Sequence, residues 1–439
     1  MKTNSITIQQ RVKILGAIIP LLLLSSNLLA QFTMSGDIRP RAEYRNGYKT
    51  LVSPNHDAAT FIDQRTRMNL NFMSQSYTVK VSLQDIRVWG SQPQLNTTDG
   101  LTSLHEGWGE VFFSSRISLK TGRQEIAYDD HRIFGNVGWA QQARSHDAAI
   151  FKIKSEDYTA HLGLAYNQDG ASLSGTIANN SSYKAMQYLW FNRKLSNLNA
   201  SFLFLNNGKQ GYILDTLGNI TGGQDYYSQT FGGRLEFKPA NATIHLAGYL
   251  QRGEEADVAH TAIEAYNLKI DGSLPLSDNF KATLGVELLS GNSELEANTK
   301  NHAFNPFYGT NHKFNGHMDY FFVGNHINSV GLNDYFLSGV YKKGAYTFAA
   351  DLHFFQSNTD VLDDKEFAST GKSIAANNHL GTEIDMSLAY SVANGVSLKM
   401  GYSYLKPTET LSYLKGGSHD ERNDWAWLMI VFKPSFIGG

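Results

Sequence analysis

Between Phe32 and Arg45 the chain changes character at every residue. Phe32, Met34, Gly36, Ile38, Pro40, Ala42 and Tyr44 are apolar or small, while Thr33, Ser35, Asp37, Arg39, Arg41, Glu43 and Arg45 are polar or charged. A helix would mix the two sets on every face, whereas an extended strand separates them completely. The run also exceeds the roughly five or six residues of a globular strand. The same alternation returns at Ile62–Phe72, Tyr158–Asn167, Tyr346–Phe354 and Val396–Tyr404, with Tyr and Phe often closing the runs as membrane-girdle residues do.

Extending this division along the chain predicts an all-β protein: an up-and-down antiparallel transmembrane β-barrel of about eighteen strands. The strands fall near 32–45, 61–72, 77–89, 104–113, 116–126, 144–154, 158–167, 183–193 and 199–206. The second half follows at 228–238, 242–252, 261–270, 280–290, 331–341, 346–355, 379–392, 396–404 and 425–432. Long connections, including 46–60, 127–143, 207–227, 291–330 and 405–424, alternate with short ones such as 73–76, 239–241 and 393–395. Such polarity puts all long loops at one end, the external side, and both termini in the periplasm. It predicts that 291–330 and 405–424 are external. Three strands are irregular. The alternation in 77–89 slips near Gln84, which predicts a bulge turning Asp85 and Arg87 inward; 144–154 lacks a clean phase; and 425–432 is apolar on both faces.

Composition agrees where it can discriminate. With 39 Gly, 25 Phe and 22 Tyr but only 9 Pro, the chain is rich in turn and strand formers. It has no Cys, which excludes disulfides, thiolate metal sites, cysteine nucleophiles and a lipidated N-terminal Cys. Beyond residue 30 the longest apolar run is Trp425–Phe432, far short of the ~20 residues of a membrane helix. A net charge of −2 gives no bias toward nucleic acid. Residues 1–30 read as a cleaved signal peptide: Lys2, Arg11 and Lys13, then the apolar Ile14–Leu24, then Ser25, Ser26 and Asn27 leading to Ala30. Residues 31–439 form one outer-membrane barrel domain of a Gram-negative bacterium.

A barrel this wide has an aqueous lumen, whose chemistry is set by its inward side chains. The polar phases supply Arg39, Arg41, Arg45, Arg65, Arg67, Lys80 and, after the bulge, Arg87, with Arg123, Arg132 and Arg144 in or beside the following strands. Asp37, Glu43, Asp63, Asp85, Glu106 and Glu110 face them. Guanidinium groups in a water path attract anions, and the same groups can brace the wall through cross-strand ion pairs.

Other motifs carry less. His302, His312, His317 and His326 share one loop without a metal-ligand spacing, so no metal site and no cofactor are expected. Gly371-Lys372-Ser373 lacks the glycine and the strand–helix context of a phosphate loop. Asp129-Asp130-His131 reads as loop polarity, and no nucleophile-elbow motif supports an enzyme.

Gly122-Arg123-Gln124, then Asp129-Asp130-His131-Arg132-Ile133-Phe134-Gly135, then Trp139 and Asp147, resemble the alginate-export family of outer-membrane channels. Arg65-x-Arg67, the His312–Tyr320 segment and Leu380–Asp385 add to the resemblance, which spans roughly residues 32–432. It implies an eighteen-stranded barrel passing an anionic uronate polymer through an arginine-lined pore, and so supports Arg65, Arg67, Arg123, Arg132 and Arg144. The chain ends Phe436-Ile437-Gly438-Gly439, so Phe432 takes the part of the terminal aromatic read by the barrel assembly machinery. The function expected is a channel for anionic solutes or an acidic polysaccharide, in contact with outer-membrane lipid. A surface receptor or adhesin built from the long loops, or a barrel-embedded hydrolase, are the competing readings.

Overall fold

The computed structural model describes residues 31–175, 183–218, 220–257 and 259–438. The expected signal peptide lies outside the described residues. Eighteen long strands run in chain order. The first nine are β1 (Gln31–Asn46), β2 (Ala59–Met73), β3 (Tyr77–Val88), β4 (Thr102–Phe112), β5 (Ile117–Gln124), β6 (His146–Lys154), β7 (Tyr158–Tyr166), β8 (Ala185–Leu195) and β9 (Leu198–Leu214). The second nine are β10 (Ile220–Phe237), β11 (Thr243–Glu254), β12 (Ala262–Pro275), β13 (Phe280–Leu289), β14 (Leu332–Lys343), β15 (Tyr346–Gln356), β16 (His379–Ala393), β17 (Val396–Pro407) and β18 (Asn423–Phe432). Each pairs antiparallel with the next, and β18 returns to β1 from Ile38↔Phe432 to Asn46↔Asp424. The sheet is therefore closed, which leaves no strand edge unpaired in hydrocarbon.

Alternation sorts the side chains as the sequence requires. In β1, Arg39, Arg41 and Glu43 are buried, while Phe32 and Tyr44 lie open on the outer surface. Outward Leu162, Leu246, Leu284, Leu337 and Leu352 form an apolar belt, and Phe32, Tyr77, Tyr158, Phe280, Tyr341 and Tyr346 ring the end bearing the short turns. No helix among the described residues is long and apolar enough to cross a membrane.

Connections alternate as expected, with two corrections. The segment 207–227 is mostly strand: β9 and β10 run 17 and 18 residues, and their ladder reaches Leu214↔Ile220. Gly208, Gly211, Gly222 and Gly223 mask that alternation in the sequence. The second correction concerns 290–331. It leaves the barrel at the long-loop end but turns back into the lumen, burying Phe304, Phe314, Met318, Tyr320, Phe321 and Phe322. Residues 125–145 turn inward too, and the loops meet through the Phe134↔Tyr308 bridge and the Thr310 N–H to His131 carbonyl bond of 2.9 Å. The lumen is thus plugged by its own chain. By contrast, 408–422 stays at the rim and carries a short helix, Glu409–Lys415.

This topology predicts a reactivity pattern in a chain that is naturally free of cysteine. On intact cells a membrane-impermeant maleimide should label Leu95→Cys and Lys372→Cys, which sit in exposed loops. Met318→Cys, buried in the plug, should stay unlabelled until denaturation, and Asn394→Cys, in a short turn, until the outer membrane is permeabilised. Labelling of Asn394→Cys with protection of Leu95→Cys would invert the orientation.

Candidate functional site: a plugged lumen

The inward faces of β1 and β2 bring the expected arginines together, and the β1–β2 register sets Asp37 opposite Arg67, Arg39 opposite Arg65 and Arg41 opposite Asp63. Burying a guanidinium is costly unless its donors find partners, and each inward arginine finds at least one. Arg41 Nη2 reaches Glu43 and Asp63 at 2.8 Å each, and Arg65 Nη2 reaches Asp37 at 2.5 Å. Arg45 Nε meets Glu43 at 2.9 Å, and Arg67 Nη2 donates to Gln84 Oε1 at 2.7 Å. Arg39 has no carboxylate partner. It donates instead to the Gly138, Trp139 and Ala140 carbonyls and to Gln141 Oε1, at 2.8–3.2 Å. The Gln141 amide also donates to Asp63 at 2.6 Å. The wall arginines therefore clasp the inward loop.

A second anchor crosses the lumen. Arg132 of the 125–145 loop lies 2.8 Å from Glu287 of β13, both groups 2 % exposed. Asn315 completes the contact, accepting from Arg132 Nη2 at 2.9 Å and donating to Glu287 and Asp334 at 3.1 Å. The 290–331 loop is held to the wall by its backbone as well: the Met318 N–H donates to Glu383 at 2.8 Å and the His317 N–H to Asp385 at 3.2 Å. Gly316, at φ 83°, sits against the Glu383 carboxylate, where a Cβ would lie 2.6 Å from it. Asp129 accepts from Trp190, and Asp130 lies near Arg234 and Lys269, so the Asp129-Asp130-His131 cluster moors the loop tip.

Two of the cavities inside the barrel border the plug. The one toward the long-loop end, of about 610 Å³, is lined by Arg41, Arg45, Lys49, Asp63, Arg144 and Asp319 among others. The other, of about 490 Å³, lies toward the short-turn end and is lined by Lys313, His317, Thr347, Lys399 and Trp427. Trp139 and His312 line both and stand between them, stacked at 4.7 Å. Burial holds the His312 pKa below the usual histidine value despite the Asp319 carboxylate 2.6 Å away. Asp63 and Asp319 are engaged, whereas Arg144, Lys49, Lys313 and Lys399 have no ion-pair partner among the described residues. Arg144 gives one donor to the Gly309 carbonyl, and Lys313 one to the Asp130 carbonyl.

Several expected positions fall elsewhere. Arg123 faces outward, paired with Asp147 at 2.9 Å, because β5 places Lys120 and Gln124 on the inner phase. Asp85 and Arg87 also stay on the outer phase, opposite Thr66 and Gln64, in an unbroken β2–β3 register. The bulge lies in β4 instead, between the Ser82↔Glu106 and Leu83↔Leu104 pairs, and leaves His105 extra. Glu106 and Glu110 face inward, held by Lys80 and Lys152. His302 and His326 bond to the Glu264 and Gly331 carbonyls, apart from His312 and His317. Among the described residues, His105, Glu106 and Glu125 bring ligand atoms within 4.8 Å of one another. Lys80 and Trp108 already hold Glu106, and Arg67 stands 3.8 Å from Glu125, so protein donors satisfy the group. Lys313 and Lys399 were missed by the sequence reading, although Lys399 stands on the polar phase of its strand.

The family model described as alginate export matches residues 30–424. No curated protein matches the chain by sequence. Similar solved structures include OccK5 (OpdH) of Pseudomonas aeruginosa, 12 % identical with TM-score 0.58, the match covering 92 % of this chain and 98 % of that one. OccAB1 of Acinetobacter baumannii is 11 % identical with TM-score 0.60, covering 92 % and 97 %. The outer membrane protein opdK of P. aeruginosa is 10 % identical with TM-score 0.58, covering 92 % and 99 %. At these identities the likeness is one of fold.

The buried Arg132–Glu287 pair yields a stability prediction. Arg132→Met leaves Glu287 charged and unpaired, a loss on the order of 3–5 kcal/mol, visible as a lower unfolding temperature in detergent. Arg132→Met combined with Glu287→Leu should regain most of it, whereas an additive loss in the double variant would rule out coupling between the two.

Proposed function

The chain belongs to the alginate export family, and from that membership and its barrel as an outer-membrane channel we propose that it passes an anionic, uronate-type chain along a path set by unpaired cations. The observation that carries this reading is the series of two cavities. On either side of Trp139 and His312 they offer Arg144, Lys49, Lys313 and Lys399 without ion-pair partners, while the lining carboxylates Asp63 and Asp319 are engaged. A cation beside a narrow water path walled by low dielectric acts beyond contact distance, and the sign of the unpaired charge selects the solute. The family description supports a polysaccharide with carboxylates as the solute.

Arginines enter the reading in two ways. Arg45 and Arg144 border the outer cavity and meet the solute there, while Arg39, Arg41, Arg65, Arg67 and Arg132 keep the loops in place. Export through a cleaved signal peptide and insertion by the barrel assembly machinery belong to the same proposal.

Reversal potentials of the refolded channel in planar bilayers test it. The wild type should prefer chloride over potassium at low salt. The triple change Arg144→Gln, Lys313→Gln, Lys399→Gln should reduce that preference severalfold at 0.05 M salt and much less at 1 M, where screening shrinks to roughly 3 Å. Arg65→Gln with Arg67→Gln should lower thermal stability and leave selectivity nearly intact. A wild type without anion preference at low salt would end the proposal.

A further inference from the structure

The inward phase of the strands carries a second set of cations, below the inner cavity. At the short-turn end Lys154, Lys194, Lys281 and Lys342 stand opposite Thr159, Asn199, Val340 and Thr347, the lumen-facing residues of their neighbours. Lys433 follows outward-facing Phe432 at the foot of β18, and Lys399 one strand away continues into the inner cavity. Lys154, Lys194, Lys281, Lys342 and Lys433 come from β6, β8, β13, β14 and the end of β18, so they surround much of the mouth. None of the five has an ion-pair partner within 4 Å among the described residues, and all five are exposed. Acidic groups at this end are fewer. Asp157 lies 3.5 Å from Arg193, Glu236 is held by Lys238, and Glu156 and Asp278 sit in the turns. The opposite end differs: the 357–378 loop carries Asp360, Asp363, Asp364 and Glu366 against Lys365 and Lys372.

Unpaired lysines on flexible four-carbon stems are point charges free to move with a ligand. One or two would satisfy a compact anion. Five spread around a mouth suit an extended chain bearing many charges, captured in several weak contacts and fed toward Lys399 and Lys313. We infer that this lysine collar is the loading site for a polycarboxylate chain at the periplasmic mouth, a step that rests on the anion-channel reading above. The collar acts on capture, and the constriction at Trp139 and His312 acts on passage. Collar and constriction are therefore separable in kinetics.

Single-channel block separates them. The probes are an oligogalacturonate of defined length and poly-L-glutamate, added to one side of a bilayer holding one channel. A biotinylated Leu95→Cys marks the external side by streptavidin. At 0.1 M salt, block from the periplasmic side should begin about tenfold less often after Lys154→Gln, Lys194→Gln, Lys281→Gln, Lys342→Gln and Lys433→Gln. The gain from steering by a charged mouth spans roughly 10 to 10³. Block duration, block from the external side and reversal potential should hold. The same five positions changed to Arg should restore the frequency. Should the Gln variant fail to fold, wild-type block carries the test: frequency should fall at least tenfold from 0.1 to 1 M salt on the periplasmic side and less on the other. An unchanged frequency in the Gln variant, an equal fall from both sides, or no block of the wild type by either polyanion would overturn the collar. A wild type lacking anion preference would overturn the channel reading instead. Tight binding of an acidic periplasmic protein to the collar without polyanion block would reassign it to protein docking.

Discussion

Hydrocarbon offers no partner to a backbone N–H, so a chain that crosses a bilayer as strands must close its sheet on itself. Here the closure is the β18–β1 ladder, and most other features follow from it. A ring of eighteen strands encloses more space than the side chains of its own wall can fill. Left alone, that space would be a broad aqueous hole. The chain occupies it instead with 125–145 and 290–331, whose peptide groups then need partners deep in the barrel. Arg39 supplies them to the first loop through the Gly138, Trp139 and Ala140 carbonyls, and Glu383 and Asp385 supply them to the second through its N–H groups.

The cations consequently divide by partner rather than by residue type. Arg39, Arg65 and Arg132 are buried and held by loop carbonyls or carboxylates, and their work is mechanical. Arg144 and Lys313 come from the loops themselves and keep donors free within the cavities. The plug thus supplies part of the charge that lines the cavities, while the wall holds the plug.

Most of the barrel was legible because period two is a local property that burial on one face imposes on every strand. Its failures are instructive. The strand at 144–154 showed no phase, and 425–432 looked apolar on both sides. In both, the inward residues meet the plug rather than water: Ile150 belongs to the core containing Phe134, and Trp425 and Trp427 pack on Trp139. Arg87 was read as inward from a bulge expected near Gln84, and Arg123 from its place beside the following strands, yet outward ion pairs at the rim, with Asp85 and Asp99 and with Asp147, accommodate them. No periodicity tells which way a loop turns. A cue was nonetheless present: Phe304, Phe307, Phe314, Tyr320, Phe321 and Phe322 are more aromatic surface than a solvated loop keeps.

The plug's contacts also order events during assembly. Trp139 packs on Trp425 and Trp427 in the last strand, and the Tyr320 hydroxyl donates to the Gly47 carbonyl beyond the first, 273 residues away. Contacts of such long sequence separation form late, because the loops they close are large. Both inward segments complete their contacts at the seam where β18 meets β1. The residues that close the sheet are therefore also those that receive the plug, so closure and obstruction share one seam.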